Sequence, residues 1–251
     1  MDFNWDQVSN LEEDWSDVEG WHAGKILLLD KPLDWTSFDL VGKVKVGLKY
    51  KMGIRKIKLG HGGTLDPKAT GLMILLTGKN TKLTERIHGL DKTYVAEIFL
   101  GATTPCFDTE RAIDAYYPTD HITEDLVLDG IKKFQGNIVQ YPPIFSAVKI
   151  KGRSAYKSAH KGIEIETRPR NQVVHSFELM EYNLPYLKVK IKCSSGTYIR
   201  SLAHDLGKEL KSGAYLNSLV RTEIGHWSLS SAMNINDVLA KMESYTSPIL
   251  V

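Results

Sequence analysis

The most informative stretch of the sequence is Gly60-His61-Gly62-Gly63-Thr64-Leu65-Asp66-Pro67-Lys68-Ala69-Thr70-Gly71. Glycines such as Gly62 and Gly63 permit close backbone approaches that a side chain would forbid. Pro67 biases Asp66 toward an extended conformation, so we expect its carboxylate to lie in a loop and not inside a helix. Such an Asp can be a nucleophile, a general base, a metal ligand or a helix cap, and an isolated one is most often a cap or turn residue. The stretch is not a P-loop, because the Gly-Lys-Ser/Thr ending is absent.

Strands and helices are predicted on both sides of this stretch. Apolar runs or alternation predict strands at Ile26–Leu29, Gly71–Thr77, Lys92–Gly101 and Leu187–Cys193. Helical spacing predicts three main helices: one from a Thr36 or Ser37 cap to Tyr50 with Phe38, Val41, Val44 and Leu48 inward, one capped by Thr123, and one over Thr197–Lys211. Because these elements interleave irregularly, we predict an α+β fold with a mixed, largely antiparallel central sheet and flanking helices.

Length and bulk composition fit a soluble globular protein with one large domain or a domain with an appendage. Hydrophobic residues make up 42% and charged residues 25% of the 251 residues. There is no apolar run of about 18 residues and the start, MDFNWDQ, has no signal-peptide pattern. Cys106 and Cys193 form neither a disulfide scaffold nor a C-x-x-C zinc signature. We therefore expect a cytoplasmic protein with two half-buried free thiols and no membrane partner.

Charge is distributed unevenly along the chain. Residues 1–24 hold seven acidic and no Lys or Arg residues, so that the remainder carries +9 against a total of +2. A body of that sign is compatible with a polyanionic partner. The acidic extension also has apolar residues at helical spacing: Trp5, Val8, Leu11, Trp15, Val18 and Trp21. An amphipathic helix that docks on its own body or on a partner is one interpretation, and a flexible tail is the other.

The segment of about 140–170 differs from the rest of the body. It interleaves aromatic residues, such as Tyr141 and Tyr156, with many Lys and Arg residues and has little apolar periodicity. Basic groups bind phosphates and rings stack on bases, so this pattern is typical of an inserted RNA-binding element. A solvated charged loop is the alternative.

The quoted stretch resembles the catalytic motif G-H-x-G-x-L-D-P-x-A-T-G of the TruB family of pseudouridine synthases, with Gly62 at a position where Thr is common. Other blocks resemble the family in the same order over about residues 25–228: Leu29-Asp30-Lys31-Pro32 with Thr36-Ser37, Lys92-Thr93-Tyr94 with Leu100-Gly101, Tyr141-Pro142-Pro143 with Ser146-Ala147 and Lys149, Cys193-Ser194-Ser195-Gly196-Thr197-Tyr198-Ile199-Arg200, and Gly213-Ala214-Tyr215 through Leu219 and Arg221.

The resemblance implies an enzyme that flips uridine 55 out of the T loop of tRNA and isomerises it to pseudouridine. It implies that Asp66 is the catalytic carboxylate, that Arg200 is the cation beside it and that Tyr94 stacks on the base. His61 would fill the vacated space, and Lys31, Tyr198 and Leu219 would line the pocket. Residue types alone leave a surface phosphate contact open for Arg200, a core role for Tyr94 and a structural role for His61. Isomerisation involves no redox change or group donor, so we expect no cofactor and no metal.

The resemblance also predicts the domain organisation. An acidic extension (1–24) precedes a catalytic domain (25–228) with an RNA-gripping insertion (about 140–170). A short C-terminal segment (229–251), with a helix capped by Asn234 or Asn236 and ending near Met242, is too small for the PUA domain of many relatives. We therefore expect a bacterial-type member without a PUA domain, a monomer that recognises the T arm alone. Rival interpretations are a non-catalytic RNA-binding protein of the same fold and a relative that acts on ribosomal or messenger RNA. A deaminase is disfavoured because its zinc motifs are absent.

Overall fold

A computed structural model of the protein describes residues 8–143, 149–150, 153–154 and 168–245. The strands in chain order are β1 (Ile26–Lys31), β2 (Leu59–His61), β3 (Ala69–Thr77), β4 (Lys92–Leu100), β5 (Ala102–Thr103), β6 (Ala115–Tyr116), β7 (Gly136–Gln140), β8 (Lys149–Ile150), β9 (Arg153–Ser154), β10 (Arg170–Asn183), β11 (Tyr186–Cys193), β12 (Ala214–Ile224), β13 (Trp227–Ser228) and β14 (Met233–Asn234). The α-helices are α1 (Val18–Ala23), α2 (Ser37–Tyr50), α3 (Thr84–His88), α4 (Glu124–Lys132), α5 (Ile199–Glu209) and α6 (Ile235–Glu243).

The chain divides into two compact units, the first formed by residues 1–90 and 220–251 and the second by 91–219. In the first unit β1 pairs antiparallel with β3, β2 pairs antiparallel with β3, and β14 pairs with β1 in parallel. In the second unit β4, β11, β10 and β7 follow one another in antiparallel pairs. Helices flank these strands. The predicted α+β class with a largely antiparallel sheet is confirmed.

The sheet of the first unit is buried on both faces, which explains the continuous apolar run of β1. Leu27 and Leu29 belong to a core cluster that includes α2 and α6, whereas Ile26 and Leu28 belong to a second cluster on the opposite face. Successive side chains of a strand point to opposite faces, so both sets must be apolar. In the second unit β11 alternates, with Val189 buried and neighbouring lysines partly exposed.

Helix boundaries agree closely with the predicted caps. Thr36 forms a capping box with Asp39 at the start of α2, and the side chains of Thr123 and Asn234 accept amide hydrogen bonds at the starts of α4 and α6. One predicted core position of α2 is wrong. Phe38 is 82% exposed and Leu40 is buried instead, because the buried stripe of the helix is centred on Leu40, Val44 and Leu48.

The acidic extension packs on its own body, but not as one helix. Among residues 8–24, the part of the extension that the structure describes, only α1 is helical, whereas Ser9 forms a parallel bridge to Leu27 of β1. Trp5 of the predicted helix lies outside the described residues. Trp15 and Trp21 are fully buried, with edge-to-face rings whose centroids lie 5.4 Å apart. The side chain of Asn10 accepts from the amides two and three residues later, which favours a turn over a helix.

Most of the predicted insertion, including Ser146, Ala147, Tyr156 and the basic residues Lys151, Lys157 and Lys161, lies outside the described residues. Within it β8 and β9 pair antiparallel. The predicted RNA-gripping role of this insertion stays a prediction.

Candidate functional site

Asp66 lies in a loop of the first unit between β2 and β3, as its following proline predicts. Its side chain is half-buried, and its carbonyl oxygen accepts a hydrogen bond from the amide of Ala69 at 3.1 Å. Asp66 has further interactions, so it is not an unpartnered carboxylate. The loop runs from the partly buried β2 to the buried β3, which places a reactive group at the edge of a rigid scaffold.

Two buried side chains hold the backbone immediately before Asp66. The hydroxyl of Ser37 accepts from the amide of Leu65 at 2.8 Å and donates to its carbonyl at 3.0 Å. Arg221 donates from Nη2 to Gly63 O at 3.1 Å and from Nη1 to Thr64 O at 3.3 Å. Three consecutive residues are thus fixed by side chains that are distant in sequence.

Arg221 also explains the last glycine of the motif. Its Nε donates to Leu72 O at 2.8 Å. Gly71 has φ +102°, and a Cβ there would lie 2.4 Å from the carbonyl oxygen of Arg221. Only glycine fits this close backbone approach. Both braces were missed as functional positions in the sequence, where they appeared only within longer motif blocks.

Lys31 is fully buried and lies close enough to this loop for the charge of Asp66 to act on it. Its ammonium group donates to the carbonyls of Pro32 at 2.8 Å and Trp35 at 2.6 Å. Burial lowers the pKa of Lys31 to about 8, and the negative charge of Asp66 is the largest opposing influence. The structure therefore brings Lys31 and Asp66 within electrostatic range. The predicted pocket role of Lys31 stays a prediction.

His61 ends β2, five residues before Asp66. Its ring is half-buried, and burial lowers the pKa of the imidazole, so that it is neutral at physiological pH. Its Nδ1 is buried without a hydrogen-bond partner among the described residues. The predicted role of His61 in filling the space that the base leaves stays a prediction.

In the second unit, Arg200 lies in the first turn of α5 and is only 4% exposed. Its Nη1 donates to Cys106 O at 3.3 Å and lies 3.5 Å from Oδ2 of Asp108. Burial at this level excludes the surface phosphate contact left open by the sequence. Arg200 has further interactions as well. Its predicted pairing with Asp66 stays a prediction.

Asp108 is a buried acid that the sequence did not single out. It is 3% exposed, and its Oδ1 accepts from the amide of Glu110 at 2.9 Å. The preceding Phe107 has φ +64°, which non-glycine residues rarely adopt, and its ring stacks on His204 with centroids 3.8 Å apart. Burial lowers the pKa of His204 to about 4. A strained residue beside a buried Arg–Asp pair marks this turn as a functional candidate. In the sequence, the only feature that could have indicated Asp108 is that it is a single acidic residue shortly after Cys106.

The other predicted residues of the second unit lie in strands or next to a helix. Tyr94 is 9% exposed in β4, opposite Ile191 of β11, and Leu219 is 8% exposed in β12. Tyr198 precedes α5, and both polar groups of its backbone are bound by the side chain of Gln140, at 2.7 and 3.0 Å. Stacking by Tyr94 and pocket roles for Tyr198 and Leu219 stay predictions.

No cluster of three or more His, Cys, Asp or Glu residues among the described ranges could hold a metal ion. Both thiols are free and fully buried, more than predicted, and burial raises the pKa of Cys193 to about 12. Within the same ranges no helix is long and apolar enough to cross a membrane.

The first unit contains the carboxylate of Asp66, in a braced loop, beside the buried ammonium group of Lys31. The second unit contains the buried guanidinium group of Arg200, paired with Asp108. Such groups serve proton transfer or nucleophilic attack by a carboxylate. The class of protein indicated is a carboxylate-dependent enzyme on an α+β scaffold.

Comparison with known proteins identifies the family. Residues 49–199 match the family model described as TruB family pseudouridylate synthase (N terminal domain). This match covers more than half of the chain, which therefore belongs to the TruB family of pseudouridylate synthases, enzymes that isomerise uridine.

Curated relatives extend the similarity over most of the chain. The chain is 49% identical over 212 residues to the tRNA pseudouridine synthase B of Phocaeicola vulgatus, covering 84% of this chain and 90% of that protein. It is 50% identical over 216 residues to the protein of the same name from Parabacteroides distasonis, covering 86% and 92%.

Solved structures agree on the fold. A crystal structure of a Cbf5–Nop10–Gar1 complex matches 94% of this chain with a TM-score of 0.67 and 27% identity. The match spans 59% of that longer chain.

Proposed function

We propose that this protein isomerises uridine 55 (standard numbering) in the T loop of tRNA to pseudouridine. The observation that carries the proposal is the similarity, near 50% identity over more than four fifths of the chain, to proteins named tRNA pseudouridine synthase B. The braced Asp66 loop supports it, because the loop presents a carboxylate beside a buried cation.

In the proposed reaction the uridine is first flipped out of the loop, at a cost of a few kcal/mol of lost stacking. Asp66 then acts on the sugar or base while the bond between C1′ and N1 breaks. The uracil rotates and a bond forms between C1′ and C5. The proton on C5 is lost and N1 gains one, so that atoms and electrons balance without a cofactor.

The remaining residues have positioning and binding roles in this proposal. Arg200 provides the cation that favours the ionised form of Asp66, Tyr94 stacks on the base and His61 occupies the space that the base leaves. Lys31, Tyr198 and Leu219 line the pocket. Arginine suits its task because it stays charged and can bind a carboxylate through two donors.

We also propose that the catalytic domain spans 25–228, that its insertion at about 140–170 grips RNA, and that the protein acts as a cytoplasmic monomer on the T arm. If the determinants lie in that arm, an isolated T-arm hairpin is modified with kcat/KM within about tenfold of whole tRNA, since one loop satisfies phosphate contacts, stacking and base flipping.

The test is incubation of unmodified tRNA transcript with pure protein, followed by position-resolved mapping of pseudouridine. The proposal expects modification of uridine 55, none in a transcript with cytidine at that position, and none with Asp66→Asn. Modification of ribosomal RNA fragments but not of tRNA would support the alternative substrate and refute the proposal.

A further inference from the structure

The exposed face of α2 carries a positive charge that the proposed active site does not use. Three lysines stand against one exposed acid, Asp39, whose carboxylate is engaged in the capping box with Thr36. Residues 40–65 contain seven Lys or Arg residues and no Asp or Glu, against a net charge of +2 for the whole chain. Lys43, Lys45 and Lys49 are exposed on α2, and Arg55 and Lys56 are exposed in the loop after it. The amide of Ile54 donates to Leu48 O at 2.9 Å, which folds this loop back against the end of the helix.

Large apolar side chains alternate with these cations. Phe38 is 82%, Val46 52% and Tyr50 61% exposed. With 3.6 residues per turn, Phe38, Lys45 and Lys49 form one stripe, and Lys43, Val46 and Tyr50 form the adjacent one. A purely solvated helix face normally mixes charges of both signs and carries few large apolar residues.

Two features of this face weaken the free helix. Lys45 and Lys49 are like charges four residues apart, which repel each other. Gly42 lies mid-helix, where glycine is unfavourable relative to alanine, and a Cβ at this position would meet nothing within 4 Å. Packing therefore does not explain Gly42. Residues that destabilise a helix in the free protein are expected at functional sites, where the bound ligand offsets their cost in free energy.

The position of α2 relates this face to the catalytic loop. Ser37, its first residue, is bonded to Leu65, the residue before Asp66. The 14 residues of α2 extend roughly 20 Å from that point. Four of the exposed cations form no ion pair within the described ranges: Lys43, Lys45, Arg55 and Lys56. Lys51, by contrast, is paired with Glu243.

We propose that the exposed face of α2 binds the phosphate backbone of the substrate RNA where it flanks the target uridine. The inference deepens the proposed function and rests on it. Lysines along the helix contact successive phosphates, and Phe38, next to the catalytic loop, contacts a sugar or base. Glycine at position 42 lets the RNA backbone approach the helix closely.

The experiment measures the dissociation constant of unmodified tRNA transcript against salt concentration for the wild type and for Lys43→Gln/Lys45→Gln/Lys49→Gln. The expected result is an affinity about 10- to 50-fold weaker, with the slope of log K against log salt reduced by about 2 to 3, as for the loss of three phosphate contacts. Activity at saturating RNA stays within about threefold, since these residues do not touch the reacting atoms.

The matched control is Lys132→Gln/Lys133→Gln/Lys208→Gln, which removes the same charge from exposed positions of α4, its C-terminal end and α5. It should leave the salt slope near the wild-type value. Gly42→Glu provides a second test. Glutamate favours the helix more than glycine does, so thermal stability should not fall, while RNA binding should weaken. Weaker binding with undiminished stability cannot be attributed to unfolding.

The inference would be overturned if the wild type and the α2 triple variant had equal salt slopes, or if the control variant reduced the salt slope as much as the α2 variant does. The exposed face of α2 would then have to bind a different anionic partner. Failure of the proposed function is distinguishable, because the wild type would then form no pseudouridine in the transcript.

Discussion

The bond between Ser37 and the catalytic loop allows a worked prediction for Ser37→Ala. The hydroxyl satisfies both the amide and the carbonyl of Leu65, and Ser37 is only 4% exposed. Alanine leaves two buried polar groups unpaired, at about 1–3 kcal/mol each. With partial relaxation, we expect the free energy of unfolding to fall by about 2–4 kcal/mol. The loop also loses a brace one residue before Asp66, and a displacement of about 1 Å can lower the rate a hundredfold.

We therefore expect kcat for pseudouridine formation to fall by about 10- to 100-fold, with the RNA dissociation constant within about threefold. Single-turnover kinetics well below the melting temperature, with denaturant unfolding in parallel, measure both effects. Thr123→Ala is the control, since it removes the cap of α4, at about 0.5–2 kcal/mol, without contact to the loop. If the control slows the reaction as much as Ser37→Ala, or if Ser37→Ala reacts at the wild-type rate, then the bracing argument is wrong.

Three further predictions concern charged groups. Asp66→Asn should lower the single-turnover rate more than a thousandfold, at least about 4–5 kcal/mol of barrier, and leave tRNA affinity within a few-fold; a rate within tenfold of wild type would remove Asp66 from the chemistry. Arg200→Lys should lower the rate by roughly a hundredfold with little change in binding, because a point charge replaces a planar fork, and near-normal activity of Arg200→Ala would contradict this role. Because the pKa of Lys31 is lowered to about 8, the folded state binds fewer protons than the unfolded state between pH 8 and 10.5, and the contribution of Lys31 to stability rises with pH. In urea unfolding over that range, the free energy of unfolding of the wild type should rise by on the order of 2–3 kcal/mol relative to that of Lys31→Met. A difference that does not change with pH would show that Lys31 has the pKa of an ordinary lysine.

The sequence by itself determined the local elements. Caps at Thr36, Thr123 and Asn234 depend on hydrogen bonds within three residues, so the helices begin where the sequence predicts. Alternation along Leu187–Cys193 and the apolar run of β1 follow from the period of a strand. The placement of Asp66 in a loop follows from Pro67 and the nearby glycines. These inferences needed only neighbouring residues.

Only the tertiary structure decided which distant groups support the site. Arg221 reaches Gly63 across 158 residues and Ser37 reaches Leu65 across 28, contacts that no local periodicity encodes. The dependence on distant contacts also explains the two predictions that were wrong, the inward position of Phe38 and the single helix of the acidic extension. Phe38 fitted a helical stripe, but packing chose Leu40. Likewise, the spacing in the extension predicted one helix, whereas burial of Trp15 and Trp21 against the core produced a mostly irregular segment. A pattern states which residues can share a face, and the free energy of packing decides which of them do.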